Sequence, residues 1–366
     1  MKIAYVSYNQ MHSIANGGVG RKIRTAVQIW NEAGHEAHWF LTTSAEVSGE
    51  EVSAFRFGLG KGVLDKEIDR SRQLARMIDA VKTYQPDMIY LRAGIYTYPL
   101  QRLFHLAPVV MELNTLDVNE YRMRGGFHYG VHRLTRDFIF KRASGFVAVS
   151  YEIAAHSSNT KYGKPIKVSG NAIDLGQYES LPAPEHDVPR LAYIGAPDTP
   201  WHGIDKLFWL AEACPDFAFD LIGSGPEAFK EQSIPPNIHL HGFVERSVYQ
   251  HILAQADVGI GSLALHRINV NEIPPLKVRE YLAYGIPVLL AYEDTDLLGT
   301  DFDFVLKIAN MEDNLRENLD AIRQFVFRMQ GKRVDRQLIA PLIDSRVKEQ
   351  QRLAFMVQIA AGGKQT

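Results

Sequence analysis

The sequence has one cysteine, no long apolar run and almost no net charge. The single thiol, Cys214, excludes a disulfide framework and is typical of proteins of the reducing cytoplasm. Because no apolar stretch approaches the ~20 residues of a membrane-spanning helix, we expect no transmembrane segment. The opening "MKIAYVSYNQ" soon turns polar, so we expect no signal peptide either. With 40 basic and 42 acidic residues, the formal net charge of -2 gives no indication of nucleic-acid binding.

Apolar strand patterns alternate with helical patterns along the 366 residues, which is typical of parallel sheets covered by helices on both faces. A first series of predicted strands covers residues 2–8, 36–42, 87–92, 108–113 and 145–150. A second series covers residues 190–195, 217–223, 238–243, 258–263 and 287–292, with helices near 203–214, 246–256 and 275–285. A chain of this length is expected to form two domains, each with its own core.

The Pro- and acid-rich stretch "ESLPAPEHDVP" (179–189) separates the two series and is interpreted as a linker. The predicted fold class is therefore α/β, with two doubly wound Rossmann-like parallel-sheet domains. Two such domains are expected to face a cleft at the carboxyl ends of their strands, where ligands of these sheets bind. We place the N-terminal domain at 1–180, the C-terminal domain at 181–345 and a final helical segment at 346–366.

A glycine-containing loop, with Gly17, Gly18 and Gly20, precedes the first predicted helix. Glycines let the backbone approach a ligand closely, and a helix start offers free N–H groups to phosphate. The G-G-x-G spacing matches neither a Walker loop nor a dinucleotide fingerprint, and a tight strand-to-helix turn explains it equally well. The helix pattern runs over residues 19–34, and its predicted buried face consists of Val19, Ile23, Ala26, Val27, Trp30 and Ala33. Gly34 is the expected C-terminal stop.

Two glutamates eight positions apart, Glu272 and Glu280, bracket a predicted helix start in "NEIPPLKVREYLAYGIPV" (271–288). An acidic helix start, favoured by the helix dipole, explains either carboxylate alone. The alternative is that both acids face a ligand that lies at the helix start.

Several segments, in their order and spacing, resemble a retaining glycosyltransferase of the GT-B fold, in the large family 4. The segments in the second half are "GAPDTPWHGIDKL" (195–207), "DLIGSGPE" (220–227), "NIHLHGFV" (237–244), "ADVGIGSL" (256–263) and "EYLAYGIPV" (280–288). In the first half, "GGVG", "PDMIYLR" (86–92) and "GNAID" (170–174) stand where the family places such pieces. The resemblance covers the whole chain and implies that the final helix crosses back onto the N-terminal domain.

By this resemblance, Glu272 contacts hydroxyls of the donor sugar and Glu280 the ribose hydroxyls of the nucleotide. Charge-assisted hydrogen bonds from vicinal hydroxyls to a carboxylate agree with these roles. The two prolines before the helix have no N–H, so the amides of Leu276 and Lys277 are the expected diphosphate donors. The catalytic candidates are Glu272, Asn114 and His202, and the donor-binding candidates are Gly17, Gly18, Gly195, Gly223, Phe243, Leu276, Lys277 and Glu280.

Three positions depart from the pattern of the family. Gly195 and Ala196 stand where relatives carry an arginine, and His202 stands where they carry a lysine. Both missing cations would neutralise the leaving diphosphate. Asn114 replaces a histidine, and although its amide can bind a sugar hydroxyl, it cannot carry a proton. These departures point to an unusual donor or to a degenerate site.

Other cations near these motifs leave alternatives open. His202 contacts phosphate when its ring is protonated, or it only packs in its loop. Lys277 reaches a phosphate, or it pairs with Glu280 at i, i+3. The role of Arg267 stays open, and Arg21 and Lys22 are expected on a solvated surface.

Between residues 122 and 142, "RMRGGFHYGVHRLTRDFIFKR" has six Lys or Arg residues against one Asp. A solvated basic helix face is the favoured interpretation. The other is attraction to an anionic lipid or to a phosphate-bearing glycan.

Two Asp-x-Asp stretches, Asp294/Asp296 and Asp301/Asp303, are similar to a metal motif of the other main glycosyltransferase fold. Two-acid matches arise easily by chance, and we assign no metal.

The stretch 335–360 is helical in pattern apart from Pro341.

The expected function is a cytoplasmic, metal-independent glycosyltransferase that needs no cofactor. It would move a sugar from a nucleoside-diphosphate sugar to a glycan, lipid or small-molecule acceptor with retention of configuration. Peripheral contact with a membrane stays open, and no nucleic-acid partner is expected. The alternatives are a nucleotide-sugar epimerase or hydrolase on the same fold, and a catalytically degenerate homologue that binds a glycan or a partner protein. An NAD-dependent dehydrogenase is disfavoured, since no G-x-G-x-x-G follows a strand.

Overall fold

The computed structural model describes residues 1–11, 15, 17–58, 62–123, 125–195, 199–229 and 233–362, without the side chains of residues 63, 123, 127 and 128. Its contacts divide the chain into two compact units. The N-terminal unit comprises Met1–Gly170 and Ser345–Thr366, and the C-terminal unit comprises Asn171–Asp344. The stretch 179–189 has no regular secondary structure and lies on the C-terminal unit, where the Leu181 amide donates to the Tyr284 carbonyl at 3.2 Å.

The N-terminal unit is built on a seven-stranded sheet in which every adjacent pair is parallel. Its strands are β1 (Lys2–Gln10), β2 (Glu36–Thr43), β3 (Val52–Arg56), β4 (Met88–Arg92), β5 (Val109–Leu113), β6 (Gly145–Ala148) and β7 (Ile166–Val168). They lie in the order β3-β2-β1-β4-β5-β6-β7. The helices between them are α1 (Gly18–Glu32), α2 (Val63–Tyr84), α3 (Asp117–Met123), α4 (Gly126–Phe140), α5 (Tyr151–Ala155) and α6 (Ser157–Thr160), with a 3-10 helix at Leu100–His105.

The C-terminal unit repeats this plan with a six-stranded parallel sheet in the order β10-β9-β8-β11-β12-β13. Its strands are β8 (Arg190–Ile194), β9 (Ala218–Ile222), β10 (Ile238–Gly242), β11 (Val258–Ile260), β12 (Val288–Leu290) and β13 (Val305–Lys307). Its helices are α7 (Ile204–Ala213), α8 (Arg246–Ala254), α9 (Leu276–Ala283), α10 (Asn314–Glu317), α11 (Leu319–Met329) and α12 (Arg336–Ile343). Its 3-10 helices are Leu175–Gln177, Pro200–His202, Pro226–Phe229 and Leu265–Ile268. The predicted class of two parallel-sheet α/β domains is confirmed.

Three short strands were not predicted, namely β3, β7 and β13, and all three are edge strands of their sheets. An edge strand is covered on fewer sides than a central one, so its sequence need not form an apolar run. The three are accordingly only partly buried along their length. The central strands, buried on both faces, carry the runs that predicted them.

Helix α1 packs its predicted apolar face into the core of the N-terminal unit. Ile23, Val27 and Trp30 are buried there, and the Trp30 ring stacks on Tyr5 with 5.8 Å between the ring centroids. Gly34 takes the left-handed conformation, with φ +82°, and follows the helix as predicted. The expectation that Ala33 is buried is wrong, because this residue is the C-cap and lies exposed where the chain leaves the helix.

The last helix, α13 (Ser345–Gly362), belongs to the N-terminal unit. The single helical stretch predicted at 335–360 is instead two helices: Pro341 lies within α12, and the break comes at Asp344, whose backbone is extended. Helix α13 packs on α1, where the Trp30 indole N–H donates to the Glu349 carboxylate at 3.0 Å. Among the described helices, none is both long and apolar enough to cross a bilayer.

A buried ion pair anchors α13. Arg352 and Glu349 are both buried and bonded to each other, and Arg352 also donates to the Gly170 carbonyl at 3.2 Å. A buried charge must be paired and hydrogen-bonded, since its transfer from water is otherwise strongly unfavourable. The pair therefore makes the position of α13 specific.

We expect Arg352→Met to lower the free energy of unfolding by about 3–5 kcal/mol, because it leaves the Glu349 carboxylate buried without its cation. Urea denaturation followed by tryptophan fluorescence measures this change. Arg346→Met is the matched control on the same helix, since its pair with Glu32 is exposed and should contribute less than about 1 kcal/mol. Equal losses in the two variants would contradict the role of burial.

Candidate active site

Helix α9 and the loop before it hold the two predicted carboxylates. Glu272 is buried, and its loop is fixed by a parallel bridge to Glu293, in which the Ile273 amide donates to the Glu293 carbonyl at 3.1 Å. Glu280 follows on α9 itself and is partly buried. The Pro275 carbonyl accepts from the amides of Val278 and Arg279. The earlier amides of the helix, at Leu276 and Lys277, have no acceptor within the helix, as at any helix start.

Glu280 is held by two tyrosine hydroxyls that sequence analysis did not identify. Tyr178 donates to one carboxylate oxygen at 3.2 Å, and Tyr249, on α8, donates to the other. Each carboxylate oxygen accepts more than one hydrogen bond, so the group retains capacity for further donors. The tyrosines fix the orientation of the carboxylate.

Arg279 is the main residue of this region that sequence analysis missed. Its fully buried guanidinium binds Asp294 at 2.7 and 2.8 Å and Asp296 at 2.6 Å, and its Nε donates to the Asn171 carbonyl at 2.9 Å. This Asp-x-Asp pair therefore binds a cation of the protein itself. The available signal was an arginine on the apolar side of a helix, close in sequence to two acids.

Lys277 lies at the carboxyl end of β8. Its amine donates to the Ile194 carbonyl at 3.0 Å and lies 4.4 Å from the centroid of the Tyr193 ring. Burial lowers the pKa of this amine to about 7. The sequence left open a pair between Lys277 and Glu280. In the structure the amine is instead directed to the end of β8, beside Gly195.

Gly195 and Gly223 meet at the ends of β8 and β9. The Gly195 amide donates to the Ile222 carbonyl at 3.0 Å, and Gly223 has φ +95°. A Cβ atom on Gly223 would lie 2.9 Å from the Gly195 carbonyl oxygen, so only glycine fits this turn. Phe243, just after β10, is 91% exposed. Ala196, which follows Gly195 in the sequence, lies outside the described residues.

His202 and Arg267 lie in neighbouring 3-10 helices of the C-terminal unit. The His202 carbonyl accepts from the Tyr193 hydroxyl and from the Leu263 amide. The His202 ring lies edge-on to Trp201, with 6.3 Å between the ring centroids. Arg267 binds two carboxylates, Asp205 at 2.7 Å and Glu312 at 2.8 Å. Because two carboxylates compensate its charge, Arg267 has a structural role and offers little positive charge to a ligand.

In the N-terminal unit, the two predicted glycines begin α1. Gly17 is the N-cap residue, and its carbonyl accepts from the Arg21 amide at 3.1 Å, while Gly18 is the first helical residue. Among the described residues, no side chain caps this helix start. Positions 12–14 and 16, which precede this helix in the chain, lie outside the described residues.

Asn114 follows β5 and is bonded to a buried acid, Glu112, that sequence analysis missed. The Asn114 amide donates to Glu112 at 3.2 Å and accepts from Arg92 at 2.8 Å. Lys22 also binds Glu112, at 2.7 Å, so the expectation that Lys22 is solvated is wrong. Although burial alone would raise it, the pKa of Glu112 is held well below its ordinary value by Lys22 and Arg92. The signal was an acid inside the apolar strand "PVVMEL".

A cavity of about 220 Å³ opens beside Asn114 within the N-terminal unit. Its polar lining includes Gln10, Arg92, Asn114, Thr115, Asp117 and Glu120. Several of these groups are oriented by other side chains: the buried Arg136 holds Asp117 at 2.8 Å, and the Thr115 hydroxyl donates to Glu120 at 2.7 Å. Fixed donors and acceptors of this kind suit a ligand rich in hydroxyl groups.

Within the described residues, no three His, Cys, Asp or Glu side chains are grouped so that they could hold a metal ion. Of the candidates of the C-terminal unit, Glu272, Leu276 and Lys277 lie at the start of α9, and Gly195 and Gly223 lie at the ends of β8 and β9. Phe243 follows β10, and His202 lies in the 3-10 helix after β8. Asn114, Gly17 and Gly18 belong to the N-terminal unit.

The family model for Glycosyltransferase Family 4 matches residues 16–177 of the chain. No curated protein matches the chain in sequence. Among solved structures, sucrose-phosphate synthase from Thermosynechococcus elongatus is similar in fold, with a TM-score of 0.70 at 14% identity over 99% of this chain and 100% of that one.

Two further structures are similar. The lipopolysaccharide outer core galactosyltransferase WaaB has a TM-score of 0.66 at 12% identity over 97% of this chain and 99% of that one. An alpha-glucosyltransferase in complex with UDP has a TM-score of 0.64 at 12% identity over 98% and 100%. The predicted resemblance to GT-B glycosyltransferases of family 4 is confirmed: the family model matches residues 16–177, and the similar solved structures share the fold.

We expect Arg279→Met to lower the free energy of unfolding by about 3–5 kcal/mol, since Asp294 and Asp296 lose the cation that compensates them inside the protein. Chemical denaturation of the purified variant measures the loss. Lys307→Met is the control, because its pair with Glu293 is solvent-exposed and should change stability by less than about 1 kcal/mol. A similar small effect for Arg279→Met would show that α9 is held by other contacts.

Proposed function

We propose that the protein is a retaining glycosyltransferase that binds a nucleoside-diphosphate sugar at the start of α9. The donor is a co-substrate, and the proposal includes neither a cofactor nor a metal ion. A cytoplasmic site of action fits the single, buried thiol Cys214. The acceptor would be a hydroxyl of a glycan, a lipid-linked glycan or a small molecule.

The observation that carries this proposal is the set of groups around one helix start. A buried carboxylate (Glu272) precedes the start, free amides lie at it, and a second carboxylate (Glu280) follows on the helix. Amides at the positive end of a helix bind a diphosphate, and the carboxylates accept from sugar and ribose hydroxyls. A nucleoside-diphosphate sugar carries these groups in the same order, with phosphate between two polyols.

We assign the two carboxylates different parts of the donor. Glu280, oriented by Tyr178 and Tyr249, would accept the ribose hydroxyls, and Glu272 would accept hydroxyls of the transferred sugar. The exposed Phe243 ring would offer an apolar face to the nucleobase. Gly195 and Gly223 keep this surface free of side chains.

Lys277 would replace the positive charge that relatives supply from the loop after β8. The loop starts at Gly195, and the Lys277 amine already lies against the preceding carbonyl, that of Ile194. Charge that develops on the departing diphosphate is stabilised by a cation fixed at this place. His202 and Arg267 are weaker candidates, since one packs against Trp201 and the other is bound by two acids.

Retention would follow if the acceptor hydroxyl attacks from the side of the leaving diphosphate, which itself takes up the proton. The protein then has to position the acceptor and stabilise the charge, and needs no nucleophilic side chain. The polar cavity beside Asn114 is our candidate for an acceptor-side pocket, with Asn114 as a hydrogen-bonding group. Gly17 and Gly18, at the start of α1, stay donor-binding candidates, because glycines would let the backbone approach the donor closely.

Incubation of the pure protein with a panel of nucleotide sugars tests the reaction class. A glycosyltransferase gives transfer or slow donor hydrolysis with the configuration retained, and a chelator should leave the rate unchanged. An epimerase would isomerise the donor, and a degenerate binding protein would leave every donor intact. Either of these two results would overturn the proposal.

We expect Glu280→Ala to weaken nucleoside diphosphate binding by about 1.5–3 kcal/mol, because the ribose hydroxyls lose a charged acceptor. Glu272→Ala should leave the affinity for the bare diphosphate unchanged while turnover of the sugar donor drops. Calorimetry with the diphosphate and a donor-turnover assay measure the two effects. Glu317→Ala, at an exposed position on α10, is the control. Equal losses for both ligands in both variants would contradict the division of roles.

We expect nucleoside diphosphate affinity to fall as the pH rises above 7, by up to about tenfold per pH unit. Burial lowers the pKa of Lys277 to about 7, so the free protein loses this charge above that pH, whereas bound phosphate favours the charged form. Titration calorimetry from pH 6 to 8.5 measures the slope.

Two variants identify the titrating group. Lys277→Met should bind weakly and almost independently of pH, and His202→Lys should keep the slope of the wild-type protein. The reverse pattern, with a flat curve for His202→Lys alone, would assign the phosphate contact to His202.

A further inference from the structure

Helix α4 carries exposed apolar side chains that the N-terminal unit leaves uncovered. Leu134 and Phe138 stand one helical turn apart and are 78% and 51% exposed. Tyr96 extends this apolar surface, with its ring centroid 5.9 Å from that of Phe138, and the nearby Tyr98 is 66% exposed. We call these four residues the α4 face.

Basic side chains surround the α4 face. Arg133 precedes Leu134, while Lys141 and Arg142 follow Phe138, and all three are exposed. Asp137, the acid of this helix, is bound by Lys141 at 3.0 Å and by Lys161 at 3.2 Å. Four cations therefore stand against one carboxylate, which Lys141 and Lys161 already compensate. The surface combines exposed aromatic and aliphatic groups with excess positive charge.

The structure points to docking of the α4 face on a bilayer that contains anionic lipid. Exposed apolar side chains of a docked protein enter the boundary between headgroups and acyl chains, and lysine and arginine bind the anionic headgroups. Tyrosine suits the same boundary, because its ring is apolar and its hydroxyl stays wet. Because the surrounding residues are positively charged, they favour an anionic bilayer over an uncharged partner.

Exposure alone would not carry this inference, as α2 shows. Leu64 and Ile68 have the same spacing there and are 78% and 57% exposed. Their neighbours are the acids Asp65, Glu67 and Asp69 together with the bases Lys66 and Arg70, and Arg70 binds Glu67 at 2.6 Å, so the charge there is nearly balanced. The two helices thus present apolar pairs of the same spacing, one beside an excess of positive charge and the other beside nearly balanced charge. This pair is an internal control for the α4 face.

Sedimentation with lipid vesicles tests the inference on the full-length protein. We expect binding to an equimolar mixture of phosphatidylglycerol and phosphatidylcholine, weaker binding at higher salt, and little binding to phosphatidylcholine alone. The double variant Leu134→Ser/Phe138→Ser should lose most of the binding. Arg133→Gln/Arg142→Gln should lower it by roughly thirtyfold, at about fivefold for each charge. Leu64→Ser/Ile68→Ser should bind as the wild-type protein does.

Three outcomes would overturn the inference. They are equal binding to both kinds of vesicle, an equal loss in the α2 control, and concentration-dependent dimerisation that Leu134→Ser/Phe138→Ser abolishes without an effect on vesicle binding. The substituted side chains are exposed, so unchanged melting curves should accompany every variant. Vesicle binding requires no donor or acceptor, and its result is therefore independent of the proposed transferase activity.

Discussion

The candidate site depends on one buried interaction, the bond of Arg279 to Asp294 and Asp296. The guanidinium lies in α9, between the two candidate carboxylates in sequence, and the acids follow β12. Because none of these charges is tolerated alone in the protein interior, the helix has a single favourable position relative to the sheet. The amides at its start and the carboxylate of Glu280 take their places from that position.

The N-terminal unit uses the same physical solution at its own sheet. Glu112 lies inside β5 and is compensated by Lys22 from α1 and Arg92 from β4. Its carboxylate also accepts from Asn114, which lines the polar cavity. In both units, buried ion pairs orient the polar groups at the carboxyl ends of parallel strands, where a doubly wound sheet offers its binding surface.

The sequence predicts the central strands well, because residues buried on both faces form apolar runs that only a covered parallel sheet explains. It also places four helices, near 19–34, 203–214, 246–256 and 275–285, close to their bounds in the structure. It does not predict β3, β7 and β13, whose partial exposure removes this signal. The glutamate pair is visible because both acids are close to one helix start in the chain. The partners Tyr178 and Tyr249 are not, since they come from distant segments. The direction of the Lys277 side chain likewise depends on where β8 ends, which no local pattern specifies.

The two segments of the N-terminal unit have a consequence for the order in which the protein is made. Trp30, near the beginning of the chain, is bonded to Glu349, and the whole C-terminal unit lies between them in sequence. During synthesis the first seven strands leave the ribosome long before α13 exists. The apolar surface and the buried polar groups that α13 covers must therefore stay open until the C-terminal unit has been translated. A nascent chain with such a surface is a candidate for chaperone binding. The N-terminal unit, whose synthesis begins first, is completed last.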